Sequence, residues 1–178
     1  MKPTDGALIK TDRAIVEMVH TIASRIREDY AQKDPVLLGV MNGAFMFMAD
    51  LVRALSYPLD TEETLPMYPE VDFIKVSSYD HLHSTGTVTG VSGLSSCIKG
   101  RHVILVDDIV DTGLTVKYVR NYLFLKHPAS VSVAALLVKH PHYVAYPGFR
   151  VGDEFVFGYG LDVSRQMRSL NELRVLPP

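Results

Sequence analysis

The chain has 178 residues, 47% hydrophobic and 21% charged, with a formal net charge of −2 and a single cysteine, Cys97. That length suits one domain with a sizeable core, and the composition excludes a disordered tail, a collagen-like fibre and a coiled-coil rod. One cysteine makes no internal disulfide and no multi-cysteine zinc site, and there is no basic excess to draw in nucleic acid.

The opening Met1-Lys2-Pro3-Thr4-Asp5-Gly6 lacks the apolar core of a signal peptide. No apolar run reaches the ~18 residues of a membrane span. A cytoplasmic protein without a membrane partner is the expectation. Ile15, Met18, Val19, Ile22 and Ile26 recur at helical spacing, which predicts a helix over about residues 12–31 capped by Thr11 or Asp12. Val36-Leu37-Leu38-Gly39-Val40-Met41 reads as a strand buried on both faces. Asn42-Gly43 breaks the chain, and Ala44 to Leu55 reads as a helix.

Residues 56–70 hold three prolines and form a connection, followed by a strand from Val71 to Ser78. Residues 80–100 are rich in Gly, Ser and Thr and read as a long lid-like loop, with a weak hairpin at most. His102 to Val106 is a third strand, Asp107 to Gly113 a polar turn and Thr115 to Lys126 a helix. Val131 to Val138 is a fourth strand. After a loop bearing Pro141 and Pro147, Glu154 to Gly158 reads as a fifth. The recurring strand–turn–helix order argues for a parallel sheet covered on both faces, with ligands outside the carboxyl ends of its strands.

The informative stretch runs from Val103 to Thr115: an apolar strand, Asp107-Asp108, then Asp111-Thr112-Gly113-Leu114-Thr115. Adjacent like charges do nothing for stability alone, but paired carboxylates accept hydrogen bonds from a sugar diol. The amides and hydroxyls at the following helix start suit a phosphate. Acids for a sugar and amides for a phosphate describe a sugar-phosphate site. A solvated turn with an Asp helix cap accounts for Asp111 but not for the Asp107-Asp108 pair. The Asp-Thr-Gly of an aspartic protease would need a second such loop in an all-β fold, and no G-x-x-x-x-G-K-[ST] nucleotide loop is present. His81/His83 and His140/His142 lack a third partner and read as surface histidines.

This turn resembles the phosphoribosyl-pyrophosphate signature of the type I phosphoribosyltransferases. Val71-Asp72-Phe73, Ser78-Tyr79, Leu136-Leu137-Val138-Lys139 and Asp153 to Asp162 followed by Arg168 fall in the order of the hypoxanthine-guanine branch, from about residue 36 to residue 175. The resemblance implies an α/β fold: a parallel sheet flanked by helices, a small hood from the chain ends (about residues 140–178) and a lid at about 80–100, all in one domain.

The resemblance also implies transfer of the phosphoribosyl group from 5-phosphoribosyl 1-pyrophosphate to hypoxanthine or guanine, with magnesium. Asp107 and Asp108 would hold the ribose hydroxyls, directly or through the metal, and Asp111 would take the proton from the purine ring nitrogen. Residues Asp111, Thr112, Gly113, Leu114 and Thr115 would cradle the 5′-phosphate. Lys139 would donate to the 6-oxo group, Phe155 would stack on the base and Val156 would meet its edge through the backbone. Asp162, on the purine side, would reach a magnesium water, and Asn42, Gly43 and Arg168 would serve the pyrophosphate. Ser78 and Tyr79 would open the lid. Relatives of this kind associate, so a homodimer or homotetramer is implied. Asn42 stands where relatives commonly carry a basic residue, which shifts pyrophosphate binding toward Arg168 and magnesium. Phe157 replaces a smaller apolar residue and reads as packing. Two rivals stay open: a regulator that keeps the fold and binds the same ligand as a signal, and a sister transferase preferring xanthine or a pyrimidine.

Overall fold

The computed structural model describes residues 6–58, 65–78, 88–139 and 144–177. Helix α1 (Asp12–Asp29) starts at Thr11, whose hydroxyl accepts the Ala14 N–H at 3.2 Å, a cap that contributes about 1 kcal/mol. Its apolar stripe, Ile15, Val19, Ile22 and Ile26, is fully buried. Strand β2 (Val36–Met41) leads into α2 (Phe45–Ser56), and β3 (Glu70–Ser78) follows. Then come β4 (Val88–Ser92), β5 (His102–Val110), α3 (Leu114–Phe124), β6 (Ser130–Val138) and β7 (Tyr146–Arg150).

These strands form one six-stranded sheet in the order β4-β3-β2-β5-β6-β7, parallel except for β4. Helices α1 and α2 pack on one face and α3 on the other, giving two apolar layers. The chain moves from β2 to β3 on one side and resumes at β5 on the other. The strand order therefore reverses between β2 and β5, and the crevice outside their carboxyl ends is where such sheets bind ligands. A second sheet joins β1 (Ala7–Lys10), β9 (Leu173–Val175) and β8 (Val156–Phe157) from the two ends of the chain. Phe157 is fully buried there against Gly6, the packing role expected of it.

Four expectations change. The polar turn expected from Asp107 is strand as far as Val110, because β6 runs alongside and pairs Val110 with Val138. Part of the 80–100 loop is the strand β4, paired antiparallel with β3. Pro147, expected in a loop, lies in β7 at the sheet edge, where a missing N–H costs no ladder bond. Of the expected fifth strand, Val156–Phe157 pairs in the small sheet instead of extending the main one. Tyr79, the first part of the lid (residues 80–87) and the four histidines at 81, 83, 140 and 142 lie outside the described residues.

Candidate active site

Register builds the site. The parallel pairing of β5 with β6 sets Val110 beside Val138, so Asp111 and Lys139 leave the sheet as neighbours. Lys139 Nζ lies 3.5 Å from Asp111 Oδ2 and the same distance from the Asp153 carbonyl oxygen. Pairing of β2 with β5 aligns Gly39 with Val106 and brings the loop after β2 to Asp108. A Cβ on Gly43 would overlap the Asp108 carboxylate, so only glycine allows this approach. The Met41–Asn42 peptide in that loop is cis.

Asp107 is 5% exposed. Burial, and then the neighbouring Asp108 charge, push its carboxyl well above the usual aspartate range. Asp108 is also raised by burial, with the positive charge of Arg168 pulling the other way. Their side-chain oxygens accept the next backbone amides, Asp108 N–H at 3.1 Å and Ile109 N–H at 3.0 Å. Among the described residues neither carboxylate forms an ion pair, although the Arg168 charge is felt at Asp108, which is the state expected of carboxylates that await hydroxyl donors or a cation.

The chain then turns at Gly113, whose φ of 77° lies in the left-handed region and opens α3. The Leu114 N–H donates to the Thr112 hydroxyl at 3.4 Å. Residues Asp107 to Val116 line a cleft of about 310 Å³. With the first-turn amides of α3 facing it, this is an anion seat at a helix start. A larger hollow of about 670 Å³, bounded by Ser24, Arg27, Lys33 and Met67, lies toward the amino-terminal ends of β2 and β3.

The remaining expected residues come from the segment after β7. Phe155 is 56% exposed while Val156 is buried, so one aromatic face stands free beside a backbone edge. Asp162 and Arg168 are tied together: Arg168 Nη2 donates to Asp162 Oδ1 at 2.6 Å and Nη1 to the Gly160 carbonyl at 2.5 Å. Gly160, at φ 100°, presses on the Gly43 carbonyl, where a Cβ has no room. The two loops expected to share the pyrophosphate are therefore in contact. Asp107, Asp108, Asp111, Lys139, Gly43, Asp162 and Arg168 all belong to one end of the sheet, with Asp111 facing Lys139 rather than its sister acids. Among the described residues no three His, Cys, Asp or Glu side chains converge as a metal cage.

Asp72 entered the sequence reading only within the Val71-Asp72-Phe73 segment and was given no role. Its carboxylate accepts the N–H groups of Ser96 at 2.7 Å, Phe73 at 2.8 Å and Ser95 at 2.8 Å, and the Ser95 hydroxyl at 3.0 Å. Burial alone would raise this carboxyl, but these hydrogen bonds outweigh it and hold it at about 2. They strap the return from β4 onto β3. The Ser95-Ser96 pair was the available signal, but it read as loop composition.

The phosphoribosyl transferase domain model matches residues 7–163. The chain belongs to this family. Phosphoribosyl transferases similar to it include the hypoxanthine-guanine phosphoribosyltransferases of Aquifex aeolicus and Streptococcus pneumoniae. The first is 36% identical over 93% of this chain and 92% of its own length, the second 38% over 91% and 88%. Among solved structures, a hypoxanthine phosphoribosyl transferase of Trypanosoma cruzi is 35% identical with a TM-score of 0.84, covering 100% of this chain and 95% of that one. The fold is thus that of the type I phosphoribosyltransferases. Among the described residues no helix is long and apolar enough to cross a membrane.

Proposed function

We propose that this phosphoribosyltransferase moves the phosphoribosyl group from 5-phosphoribosyl 1-pyrophosphate to hypoxanthine or guanine, yielding the purine mononucleotide and pyrophosphate. The observation that carries the base assignment is the pair Lys139–Asp111, a cation and a carboxylate 3.5 Å apart. The 6-oxopurine edge presents O6 beside N7. An ammonium donates to O6, and a half-exposed carboxylate accepts the proton of N7–H. Adenine offers an amino donor where Lys139 also donates, and opposed donors reject an analogue by several orders of magnitude.

The bond from the ribose C1 to pyrophosphate breaks while a bond from C1 to the purine nitrogen forms. Asp111 takes the ring proton as the new bond develops. Positive charge builds on the sugar, as in glycoside chemistry, and the anionic carboxylates of the strand end face it. Asp107 and Asp108 accept from the two ribose hydroxyls. The residues Thr112, Gly113, Leu114 and Thr115 hold the 5′-phosphate at the start of α3, Phe155 stacks on the base and Val156 meets its edge. Asn42 and Gly43 supply an amide and a close backbone to the pyrophosphate, with Arg168 as its cation.

Magnesium fits this donor set, because it keeps waters and substrate oxygens and needs only one or two carboxylates. Asp107 and Asp108 would hold it with the donor, Asp162 through water, and it would offset the pyrophosphate charge. The lid assignment for residues 80–100 rests on composition, whereas the part of Ser78 and Tyr79 in it and the hood at about 140–178 rest on the resemblance. The resemblance, with the interest in oligomeric state of the Trypanosoma cruzi relative, supports a homo-oligomer, and the single cysteine supports a cytoplasmic enzyme.

The test is absorbance at purine wavelengths on mixing protein, magnesium and phosphoribosyl pyrophosphate with hypoxanthine, guanine, xanthine or adenine. Turnover of hypoxanthine or guanine with adenine silent is expected. Comparable adenine turnover refutes the Lys139 role. Donor binding without turnover of any base points to the regulator.

A further inference from the structure

Tyr159 lies in the segment that carries Asp162 and Arg168, and nothing so far uses its hydroxyl. It is 4% exposed and holds a φ of 43° between Gly158 at 94° and Gly160 at 100°. Three consecutive residues in the left-handed region fold the segment back on itself. Gly158 and Leu161 exchange backbone hydrogen bonds, and the Tyr159 and Gly160 amides donate to the Leu170 and Arg168 carbonyls, each at 2.9 Å. Arg168 and Asp162 close the same ring from the side-chain end.

This ring meets the 41–44 loop at Gly160 on Gly43, with Met46 beside them and Tyr159 and Leu161 in the same apolar cluster as Phe47 and Leu51 of α2. A directed polar contact is added to this packing. The Tyr159 hydroxyl donates to Asp50 Oδ2, and Arg53 Nη2 donates to Asp50 Oδ1. Asp50 is inside α2, the helix that begins directly after the 41–44 loop. A rigid helix therefore connects the Asp50 carboxylate to Gly43, while a tight ring connects Tyr159 to Arg168.

We propose that Tyr159 and Asp50 are positioning residues: their hydrogen bond locks the Asp162/Arg168 ring to the 41–44 loop, so that both sides grip the donor's pyrophosphate together. This rests on the function proposed above. Neither side chain touches the reacting atoms. With Asn42 uncharged, the single guanidinium of Arg168 bears more of the anion, and its placement matters accordingly. A hydrogen bond to a charged group is the stronger kind, and its loss corresponds to roughly a tenfold change in an affinity that depends on it.

The experiment compares Tyr159→Phe, Asp50→Ala and Asp50→Asn with wild type. Phe keeps the buried ring and removes only the hydroxyl, and Asn keeps an oxygen that the hydroxyl can reach. Calorimetry reads the Kd of phosphoribosyl pyrophosphate, of magnesium pyrophosphate and of the purine mononucleotide, which lacks pyrophosphate. The first two should weaken roughly tenfold in Tyr159→Phe and Asp50→Ala, with the third unchanged within about twofold and Asp50→Asn partly restored. The double variant should be no worse than Asp50→Ala. Equal weakening of all three ligands together with a large fall in Tm, or no change in any, overturns the proposal. Hydrogen exchange at the Gly43 and Gly160 amides of the ligand-free protein separates this failure from that of the function. Faster exchange in Tyr159→Phe upholds the coupling even if wild type turns over no purine, and unchanged exchange overturns it.

Discussion

The Asp107-Asp108 pair makes the ligand-free protein less stable than it need be, and Asp107→Asn measures by how much. Asn keeps the oxygen that accepts the Asp108 N–H at 3.1 Å and removes a charge from a side chain only 5% exposed. An ionised carboxylate at such a site costs several kcal/mol if left charged, and proton uptake relieves part of that. Taking the range usual for relieving a strained functional site, the variant gains about 1–2 kcal/mol at neutral pH, or roughly 3–6 °C in Tm for a domain of this size. The pH dependence has a definite sign. The folded-state value is raised, so between the ordinary value of 3.8 and that raised value the native state holds more protons than the unfolded one. Wild-type stability therefore falls with rising pH across that window, and the gap to the variant, absent below about 3.8, is full only above the raised folded-state value. Donor and magnesium should invert the order. Saturating ligand at a hundred times Kd adds about 2.7 kcal/mol to wild type and much less to a variant lacking the ribose acceptor. Thermal melts from pH 3 to pH 8, with and without ligand, read all of this. A ligand-free variant that melts below wild type at pH 7 refutes the reasoning, as does a gap that persists in acid.

Asp111→Asn should lower kcat by roughly a hundredfold or more while mononucleotide affinity changes little, since only the proton acceptor is lost; single-turnover kinetics beside calorimetry checks it. Gly43→Ala puts a methyl group where the Asp108 carboxylate now lies, and an ångström of displacement there should cost turnover roughly a hundredfold, visible as weakened donor binding with a nearly unchanged melt. Asp72 contributes in the opposite pH sense to Asp107. Held at about 2, it adds on the order of 2 kcal/mol above about pH 4, which is lost as pH falls through about 2. Asp72→Asn, which turns an amide toward the Ser95 and Ser96 N–H groups, should be less stable than wild type by a similar amount above about pH 4. The acid unfolding profiles of the two proteins should then converge.

What could be read along the chain was whatever one short segment decides alone. The stripe at Ile15, Val19, Ile22 and Ile26 specifies α1 without reference to anything else. The run from His102 to Val106 can hardly be other than an interior strand, and Asp107 to Thr115 carries its chemistry in nine consecutive positions. Pairing decided the rest. Val110 belongs to a strand only because β6 lies beside it, and Pro147-Gly148 become strand because β7 is an edge that meets the Leu136 carbonyl closely. β1 and β9 are four and three residues long, too short for any period to show, and exist by virtue of each other.

The same division runs through the site. Lys139 is found only through the resemblance, whereas residues expected to act by chemical type, such as Asp107 and Asp108, announce themselves. Residues that act by holding others do not: Asp72 reaches across 23 and 24 positions to Ser95 and Ser96, and Asp50 across 109 to Tyr159. Their signal is long-range, and it emerges only when a helix and a loop meet. A site made of ligand-facing groups alone would predict that Tyr159 tolerates Phe freely. A site whose two pyrophosphate loops must be held in register predicts that it does not, since the Tyr159 hydroxyl adds a directed bond to the apolar packing of this segment on α2 and to the two glycines in contact.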